Sequence, residues 1–409
     1  MNNNWFSQLF LKSNKPYAVA KAEPVVEANG ITQDQLKHKI DRNNPDCPFY
    51  GIVAQDNVIN QLLPILAEAW QSKDRAVNDT LLLTGPPSTG KTDFARRIAG
   101  KKGLDIPFVE TDGNQIESTE DIFNICMACF AENNIEIQQV GVRNGKAFYK
   151  FPAIVLFIDE FQALNKDTLN MVLKAFESKD RMLYTEDAVV DFRKVLTIAA
   201  TTERGDILRK QRALDSRFNK IEFSSYTYDE VAQIVKLNFR NWNIEDCKAV
   251  AIRSSAIARE ALTIADKVRK QLDFMRITNP DASRQDAIVE VSKQLGIDET
   301  GRTNKQLVIL TNLAKSERGL NYGQMSALLK CSPEELKQFV LPGLLSEAAD
   351  HPALARWTGQ RAYITAAGIE DLQNRGLIQA EESDKDNVAA EEQSEETMQN
   401  AAETEGEAA

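Results

Sequence analysis

The chain has 409 residues, of which 43% are hydrophobic, enough apolar material for about two or three domains of ordinary size. Its apolar runs fall short of the roughly 20 residues that cross a bilayer, its start lacks a signal-peptide core, and its five cysteines form no disulfide pattern. These features exclude a membrane-spanning protein and a disulfide-stapled secreted one, and they predict a multidomain, cytoplasmic protein.

Negative charge is concentrated at one end of the chain. The net charge is −11, and residues 381–409 contain eleven Asp or Glu and one Lys. Such an acidic segment without aromatic residues buries too little apolar surface to fold, so residues 379–409 are predicted to form a disordered tail. The rest of the chain has a net charge close to zero, so its surface can carry a basic patch.

Residues 1–45 are predicted to form an N-terminal extension that is partly irregular. Trp5, Phe6, Leu9 and Phe10 fall on one face of a short amphipathic helix. That helix either docks on a partner or a membrane surface, or packs on the protein's own body. After the extension, residues 52–70 are predicted to form a helix with an apolar stripe.

The central motif lies at residues 81–92, where an apolar run meets a glycine-rich turn and a helical pattern follows. Gly85 and Gly90 bracket four residues, a spacing that lets backbone N–H groups curl around a polyphosphate. Lys91 is expected to reach the β- and γ-phosphates, and the Thr92 hydroxyl is expected to ligate Mg²⁺. The sequence therefore predicts a P-loop that binds ATP with Mg²⁺.

A second strand is predicted at residues 108–110 and a helix at residues 118–130. The helix contains Cys126 and Cys129, a spacing also found in zinc and redox sites. Because the pair lies in an apolar helical pattern and the chain has no second pair, we interpret both as buried thiols.

Residues 135–150 are predicted to form a β-hairpin, because apolar and polar side chains alternate on both sides of Asn144-Gly145. Arg143, Lys146 and Lys150 place positive charge at or near its tip. The hairpin either touches a polymer in a central channel or is an ordinary solvated hairpin, and the sequence leaves both open.

Residues 153–160 form a continuous apolar run that ends in two carboxylates, typical of a Walker B strand buried on both faces. Asp159 is expected to hold the hydrated Mg²⁺, and Glu160 to polarise the attacking water. The pair predicts hydrolysis of ATP as well as binding.

A third buried run, residues 195–200, ends in Thr201 and Thr202, whose hydroxyls are expected to sense the γ-phosphate. Arg217 follows, just before a last short strand at residues 221–223. With these motifs in this order the chain resembles the AAA+ ATPases. The resemblance implies that Arg217 reaches into the neighbouring subunit's site as an arginine finger.

Residues 227–300 are predicted to form a small helical lid. Residues 254–259 resemble a sensor-2 motif, which implies that Arg259 contacts phosphate in its own subunit; the alternative is an exposed helix arginine. The predicted nucleotide-binding residues are Ile52, Val53, Gly85, Pro86, Pro87, Ser88, Thr89, Gly90, Lys91, Thr92, Asp93 and Arg259.

Residues 301–378 are predicted to form a winged helix, since three short helical patterns precede a two-stranded wing that ends at residues 362–365. The predicted fold class is α/β. A P-loop AAA+ module at residues 46–226, a parallel sheet with flanking helices, is followed by the lid and the C-terminal winged helix.

The order of P-loop module, lid and winged helix resembles the RuvB family of Holliday-junction branch-migration motors over about residues 50–378. The most telling stretches are residues 156–160, 200–204, 296–298 and 356–365. The resemblance implies a hexameric ring that translocates DNA, with Arg356 and Arg361 on DNA phosphates. We expect Arg356, Trp357 and Arg361 to be exposed.

The sequence departs from the family pattern at several positions. Gln162 replaces a histidine after the Walker B strand, Asp215 replaces a second arginine near the finger, and Asp93 replaces a threonine. The stretch between residues 176 and 194 is too short for the long hairpin with which the family docks on RuvA, which puts a RuvA-type partner in doubt.

Two function classes remain open from the sequence. One is an ATP-driven DNA motor, which the wing arginines favour. The other is a AAA+ remodeller or loader that acts on a protein or nucleoprotein assembly, with the winged helix as docking module. The near-neutral body and the missing partner hairpin favour this second class.

Overall fold

The computed structural model describes residues 31–72, 76–177, 181–202, 217–345, 347 and 350–379. The amphipathic segment at residues 5–10, Asp215 and the acidic tail beyond residue 379 lie outside the described residues. Within those ranges no helix has the length and apolarity that a membrane span needs.

The strands and helices alternate through the first half of the described chain, and helices dominate the second half. The strands are β1 (Thr80–Thr84), β2 (Phe108–Asp112), β3 (Gln139–Arg143), β4 (Lys146–Lys150), β5 (Ile154–Asp159), β6 (Met182–Tyr184), β7 (Ala188–Asp191), β8 (Val195–Thr201), β9 (Asn219–Glu222), β10 (Ala355–Thr358) and β11 (Arg361–Ile364). The helices up to the lid are α1 (Gln33–Ile40), α2 (Asp56–Gln71), α3 (Lys91–Ala99), α4 (Thr119–Glu132) and α5 (Lys166–Val172).

A parallel sheet with the strand order β2-β5-β8-β1-β9 forms the centre of the described chain. Strands β1 and β8 are buried along their whole length, as the continuous apolar runs predict. In the register of the sheet, Thr84 lies opposite Thr201 and Asp112 lies opposite Asp159. The polar ends of these strands therefore meet at one edge, next to the P-loop.

Helices cover both faces of this sheet. One face packs on α2 and α3 around Trp70 and Phe94, and the other packs on α4 and α5 around Phe130. Burying a side chain such as Phe94 contributes about 1.5–3 kcal/mol. Cys126 and Cys129, 0% and 5% exposed, lie in the second core, which confirms that they are buried thiols.

Helix α2 starts later than the sequence predicts. It begins at Asp56, not at residue 52, because Gly51, Ala54 and Gln55 adopt positive φ angles of 74°, 56° and 57°. These left-handed residues break the helical pattern. The segment before α2 is consequently a loop, and Ile52 packs on the core of the sheet while Ala54 packs on the core of the lid.

The predicted hairpin is confirmed as β3 and β4, but it begins at Gln139, and residues 135–138 belong to neither strand. Asn144 and Gly145 have φ angles of 52° and 76°, as a two-residue type I′ turn requires. Strand β4 also pairs in parallel with β7, so this hairpin and the hairpin of β6 and β7 form one mixed sheet with the order β3-β4-β7-β6.

Charged side chains near the hairpin tip contact this second sheet. The guanidinium of Arg143 lies over the ring of Phe148 at 5.9 Å, and Nζ of Lys146 donates to the carbonyl oxygen of Thr185 at 2.7 Å. These contacts favour the interpretation as an ordinary hairpin for Arg143 and Lys146, while Lys150 is exposed.

A buried arginine joins the second sheet to the central one. Arg181, 1% exposed, donates to the carbonyl oxygens of Ala175 and Asp79, both at 3.0 Å, and to the hydroxyl of Thr197 at 3.2 Å. Burial lowers its pKa to about 10. The start of β6 is thereby fixed to the middle of β8.

The lid and the C-terminal region each have a hydrophobic core of their own. The lid helices are α6 (Tyr228–Asn238), α7 (Ile244–Arg253), α8 (Ala258–Thr278) and α9 (Arg284–Leu295). The C-terminal helices are α10 (Asn304–Ala314), α11 (Tyr322–Leu329), α12 (Pro333–Glu335), which continues as a π-helix over Leu336–Val340, α13 (Pro342–Leu345) and α14 (Ala366–Asn374).

The C-terminal region contains a pair of short strands, β10 and β11, which we call the wing. Leu320 forms a bridge with Ala362, and β10 pairs with β11 in an antiparallel wing. Arg375, just after α14, forms an ion pair with Asp298 at the end of the lid. This contact ties the C-terminal region to the lid.

Candidate nucleotide-binding site and wing

The P-loop connects β1 to α3 and needs glycine at both of its ends. Gly85 has a φ of 141°, and a Cβ atom there would lie 2.5 Å from the carbonyl oxygen of Phe223. Gly90, directly before α3, has a φ of 97°. The loop can pass this close to Phe223, directly after β9, and turn into the helix only without side chains at these two positions.

Lys91 points into the concavity of this loop. Its Nζ donates to the carbonyl oxygens of Gly85 and Pro86, each at 2.8 Å, and the residue is 8% exposed. Burial lowers the pKa of Lys91 to about 8, the carboxylates of Asp159 and Glu160 oppose that shift, and the charge of Arg259 adds to it. A polyphosphate in the loop would therefore stabilise the charged form of Lys91.

Two carboxylates stand at the end of β5, beside the P-loop. Glu160 has a φ of 46°, and a Cβ atom on Gly113 would come within 2.5 Å of its carbonyl oxygen, so the backbone here is tightly enclosed. Burial raises the pKa of Glu160, a hydrogen bond from Gln162 and the charge of Lys91 oppose that shift, and the charges of Asp159 and Asp112 add to it. The hydroxyl of Thr92 and the carboxylate of Asp159 are oxygen donors of the kind that Mg²⁺ takes in phosphate sites.

The predicted sensor residues and the predicted arginine finger differ in exposure and in their contacts. Thr201 is buried at the end of β8, and the following Thr202 is exposed. Arg259 is exposed on the first turn of α8, near enough for its charge to act on Lys91. Arg217 forms an ion pair with Glu177 of its own chain, with Nη2 at 3.3 Å from Oε1.

A cleft runs between the P-loop and the start of the lid. It is lined by Pro86, Pro87, Ser88, Thr89, Ser225, Tyr226, Ala256, Ile257 and Ala258. The predicted residues Ile52 and Val53 are half-buried in the loop before α2, and Arg42 holds that loop by donating to the carbonyl oxygens of Ile52 and Ala54 at 2.8 and 2.9 Å. Asp93 pairs with Arg97 at 2.7 Å on the surface of α3.

Two residues of this site, Tyr226 and Gln55, belong to no motif that the sequence analysis could recognise. The hydroxyl of Tyr226 donates to the carbonyl oxygen of Thr89 at 2.9 Å, and burial raises its pKa to about 12. The side chain of Gln55 bonds both main-chain groups of Ser224, with Nε2 donating at 2.7 Å and Oε1 accepting at 3.2 Å. Their partners are main-chain atoms, so no pair of side-chain types marks these contacts.

The wing separates residues that the sequence groups together. Arg356 lies opposite Tyr363 and Thr358 lies opposite Arg361, so both arginines share one face of the wing. Trp357 is on the other face, half-buried against Tyr322 with ring centroids 4.4 Å apart. Arg361 is also half-buried, and its Nη1 donates to the carbonyl oxygen of Gly319 at 3.0 Å. The expectation that all three are exposed is wrong for Trp357 and Arg361, because strand alternation and this turn contact enclose them.

Comparison with known families agrees with the geometry of the nucleotide site. Residues 81–226 match the sequence profile of the ATPase family associated with various cellular activities (AAA). The chain is 25% identical over 353 residues to the Holliday junction branch migration complex subunit RuvB of Campylobacter hominis, covering 84% of this chain and 94% of that protein. The RuvB subunit of Thermotoga maritima is 26% identical over 306 residues, covering 72% and 82%.

Solved structures of Thermotoga maritima RuvB have the same fold. The Holliday junction branch migration motor aligns with a TM-score of 0.57 at 23% identity, over 78% of this chain and 95% of that chain. A point mutant of the same motor aligns with a TM-score of 0.59 at 22% identity over the same shares. With a AAA profile over residues 81–226 and similarity to RuvB in sequence and fold, the chain is a divergent RuvB-like AAA+ ATPase that uses ATP with Mg²⁺.

Proposed function

We propose that this chain is the motor subunit of a homo-oligomeric ring that moves double-stranded DNA, at branched junctions above all. The observation that carries the proposal is the common face of Arg356 and Arg361 on the wing, separate from the nucleotide site. The relatives named above are subunits of Holliday junction branch migration complexes. Arginines that contact phosphates position a protein on DNA of any sequence, as a translocating motor requires.

In this proposal the residues at the sheet edge divide the work of hydrolysis. Lys91 and Arg259 would bind the phosphates, Thr92 and Asp159 would hold Mg²⁺, Thr202 would sense the γ-phosphate, and Glu160 would accept a proton from the attacking water. When bound, Mg²⁺ neutralises charge on the phosphates. The loop with Ile52 and Val53 is placed to receive the base and sugar, since Ile52 packs on the core of the sheet and Ala54 on the core of the lid.

Ring assembly supplies the last group. Arg217 is the arginine finger of the neighbouring subunit's site, and its own ion pair with Glu177 is opened when the ring closes. The ring is a hexamer in the cytoplasm. Each subunit consists of three domains, at residues 46–226, 227–300 and 301–378, with an extension at residues 1–45 and a tail at residues 379–409. The separate hydrophobic cores support this division.

The test is the rate of ATP hydrolysis with no DNA, with a linear duplex and with a four-way junction. We expect the junction to stimulate hydrolysis most and the duplex less. Strand displacement from a labelled junction, dependent on ATP, would be the second measurement. Hydrolysis that responds to neither DNA would contradict the proposal while leaving the ATPase assignment intact.

A second candidate is a remodeller or loader of a protein or nucleoprotein assembly. The near-neutral charge of the body supports it. The short hairpin of β6 and β7 supports it too, because only residues 185–187 join the two strands, too few for the long hairpin with which the RuvB family docks on RuvA. Since β4 already pairs with β7, this short hairpin does not offer a long projecting arm, and we propose that the chain does not use it to dock on a RuvA-type partner. Stimulation of hydrolysis by RuvA at a DNA junction would contradict that statement.

A further inference from the structure

The carboxylate of Glu160 has a direct hydrogen-bonding neighbour. Nε2 of Gln162 donates to Oε2 of Glu160 across the turn that follows β5. The turn is a single 3₁₀ unit, Phe161–Ala163, in which the N–H of Ala163 donates to the carbonyl oxygen of Glu160 at 2.8 Å. This tight backbone brings the side chains of residues 160 and 162 together.

Electrostatic repulsion acts on Glu160 from nearby. Asp159 and Asp112 both place negative charge beside it, and the positive charge of Lys91 opposes them. The hydrogen bond from Gln162 also counters the repulsion by the two aspartates and gives the Glu160 carboxylate a directional partner. Among the residues that the structure describes, Gln162 is the side chain that donates a hydrogen bond to this carboxylate.

The amide oxygen of Gln162, Oε1, is buried and has no hydrogen-bond partner among the described residues. An ionised carboxylate only accepts, so the amide must turn its nitrogen towards Glu160 and its oxygen inwards. Burying an unpaired carbonyl oxygen is unfavourable, so packing alone does not call for a glutamine here. The bond to Glu160 gives the side chain a role that an apolar residue of the same size lacks.

We propose that Gln162 is a positioning residue that holds the Glu160 carboxylate in the orientation in which it activates the attacking water. The proposal deepens the function proposed above and rests on Glu160 being the water-activating group. Gln162 acts through Glu160 and does not affect the residues that bind the phosphates. Its loss is thus expected to slow hydrolysis without weakening nucleotide binding.

The experiment is the substitution Gln162→Leu, which keeps the size and removes the donor. We expect kcat to fall about 10- to 100-fold, the effect of misplacing a catalytic group. The Kd of a fluorescent ATP analogue should stay within about threefold, and Tm should be unchanged or higher because the unpaired oxygen is gone. Gln115→Leu, an exposed position on the neighbouring 3₁₀ turn, is the matched control and should leave all three quantities unchanged.

A conservative variant and a double-mutant cycle separate positioning from packing. Gln162→His keeps a nitrogen donor and should retain most of kcat. In a Glu160→Gln background, single-turnover hydrolysis should change less than about twofold on adding Gln162→Leu, because the group that Gln162 positions is already lost. Full additivity, unchanged kcat in Gln162→Leu, or a parallel loss of kcat, ATP affinity and Tm would each overturn the proposal. A parent protein that binds ATP but never hydrolyses it would instead show that the ATPase assignment is at fault.

Discussion

The hydroxyl of Tyr226 and the carbonyl oxygen of Thr89 are joined by a hydrogen bond of 2.9 Å. Tyr226 directly precedes Thr227, which caps the first lid helix, so this bond links the P-loop to the base of the lid. A movement of the lid would therefore displace the P-loop at Thr89.

The first prediction is that Tyr226→Phe weakens ATP binding by about 3- to 10-fold, the effect of losing one buried hydrogen bond of about 1 kcal/mol. The carbonyl of Thr89 loses its partner, and the loop becomes less well ordered. Titration with a fluorescent ATP analogue measures the change. Tyr363→Phe on the wing serves as the control, and equal affinities of both variants would show that the Thr89 contact does not organise the loop.

The second prediction separates binding from hydrolysis at the sheet edge. Lys91→Ala should lose ATP affinity, because it removes the buried cation whose Nζ faces the loop carbonyls. Glu160→Gln should bind ATP normally and hydrolyse it on the order of 10²- to 10⁴-fold more slowly, since it removes only the general base. Binding titrations and phosphate release measure the two effects. Normal hydrolysis by Glu160→Gln would rule out the role given to this residue.

The third prediction concerns Arg217. Arg217→Ala should bind ATP yet hydrolyse it on the order of 10³- to 10⁵-fold more slowly, the usual contribution of an arginine finger. Mixing this variant with Lys91→Ala should restore part of the turnover, because some interfaces then combine an intact Lys91 with a neighbour's intact Arg217. Phosphate release from the mixture is the measurement. A mixture as inactive as its components would mean that Arg217 acts within its own subunit.

The fourth prediction concerns the face of the wing. Arg356→Ala combined with Arg361→Ala should weaken binding to duplexes of all sequences alike. It should also lower the slope of log affinity against log salt by about 2, roughly one for each phosphate contact. Basal ATP hydrolysis should survive, because neither arginine belongs to the nucleotide site.

The control for the wing is Lys101→Ala with Lys102→Ala, which removes two exposed charges from the loop after α3. The titration is best repeated with a chain that ends at residue 380, so that the acidic tail cannot compete with DNA. If the salt slope is the same with and without the wing arginines, the second function, action on a protein assembly, gains support.

Local patterns in the sequence determined most of the candidate nucleotide-binding site. The buried runs of β1, β5 and β8, the glycines of the P-loop and the paired carboxylates are each defined by neighbours along the chain, which is why they can be recognised without coordinates. The same holds for the hairpin at Asn144-Gly145, since a type I′ turn is a property of its two central residues.

Only the tertiary structure decided which distant groups meet. Tyr226, Gln55 and Arg181 bond largely to main-chain atoms that every residue carries, so sequence pattern gives no sign of their partners. The pairing of β4 with β7 and the start of α2 at Asp56 likewise depend on long-range packing and on left-handed residues that no pattern marks. On the wing, Trp357 lies on the face that does not carry Arg356 and Arg361. The register of the two strands decides this, because it fixes which side chains share a face.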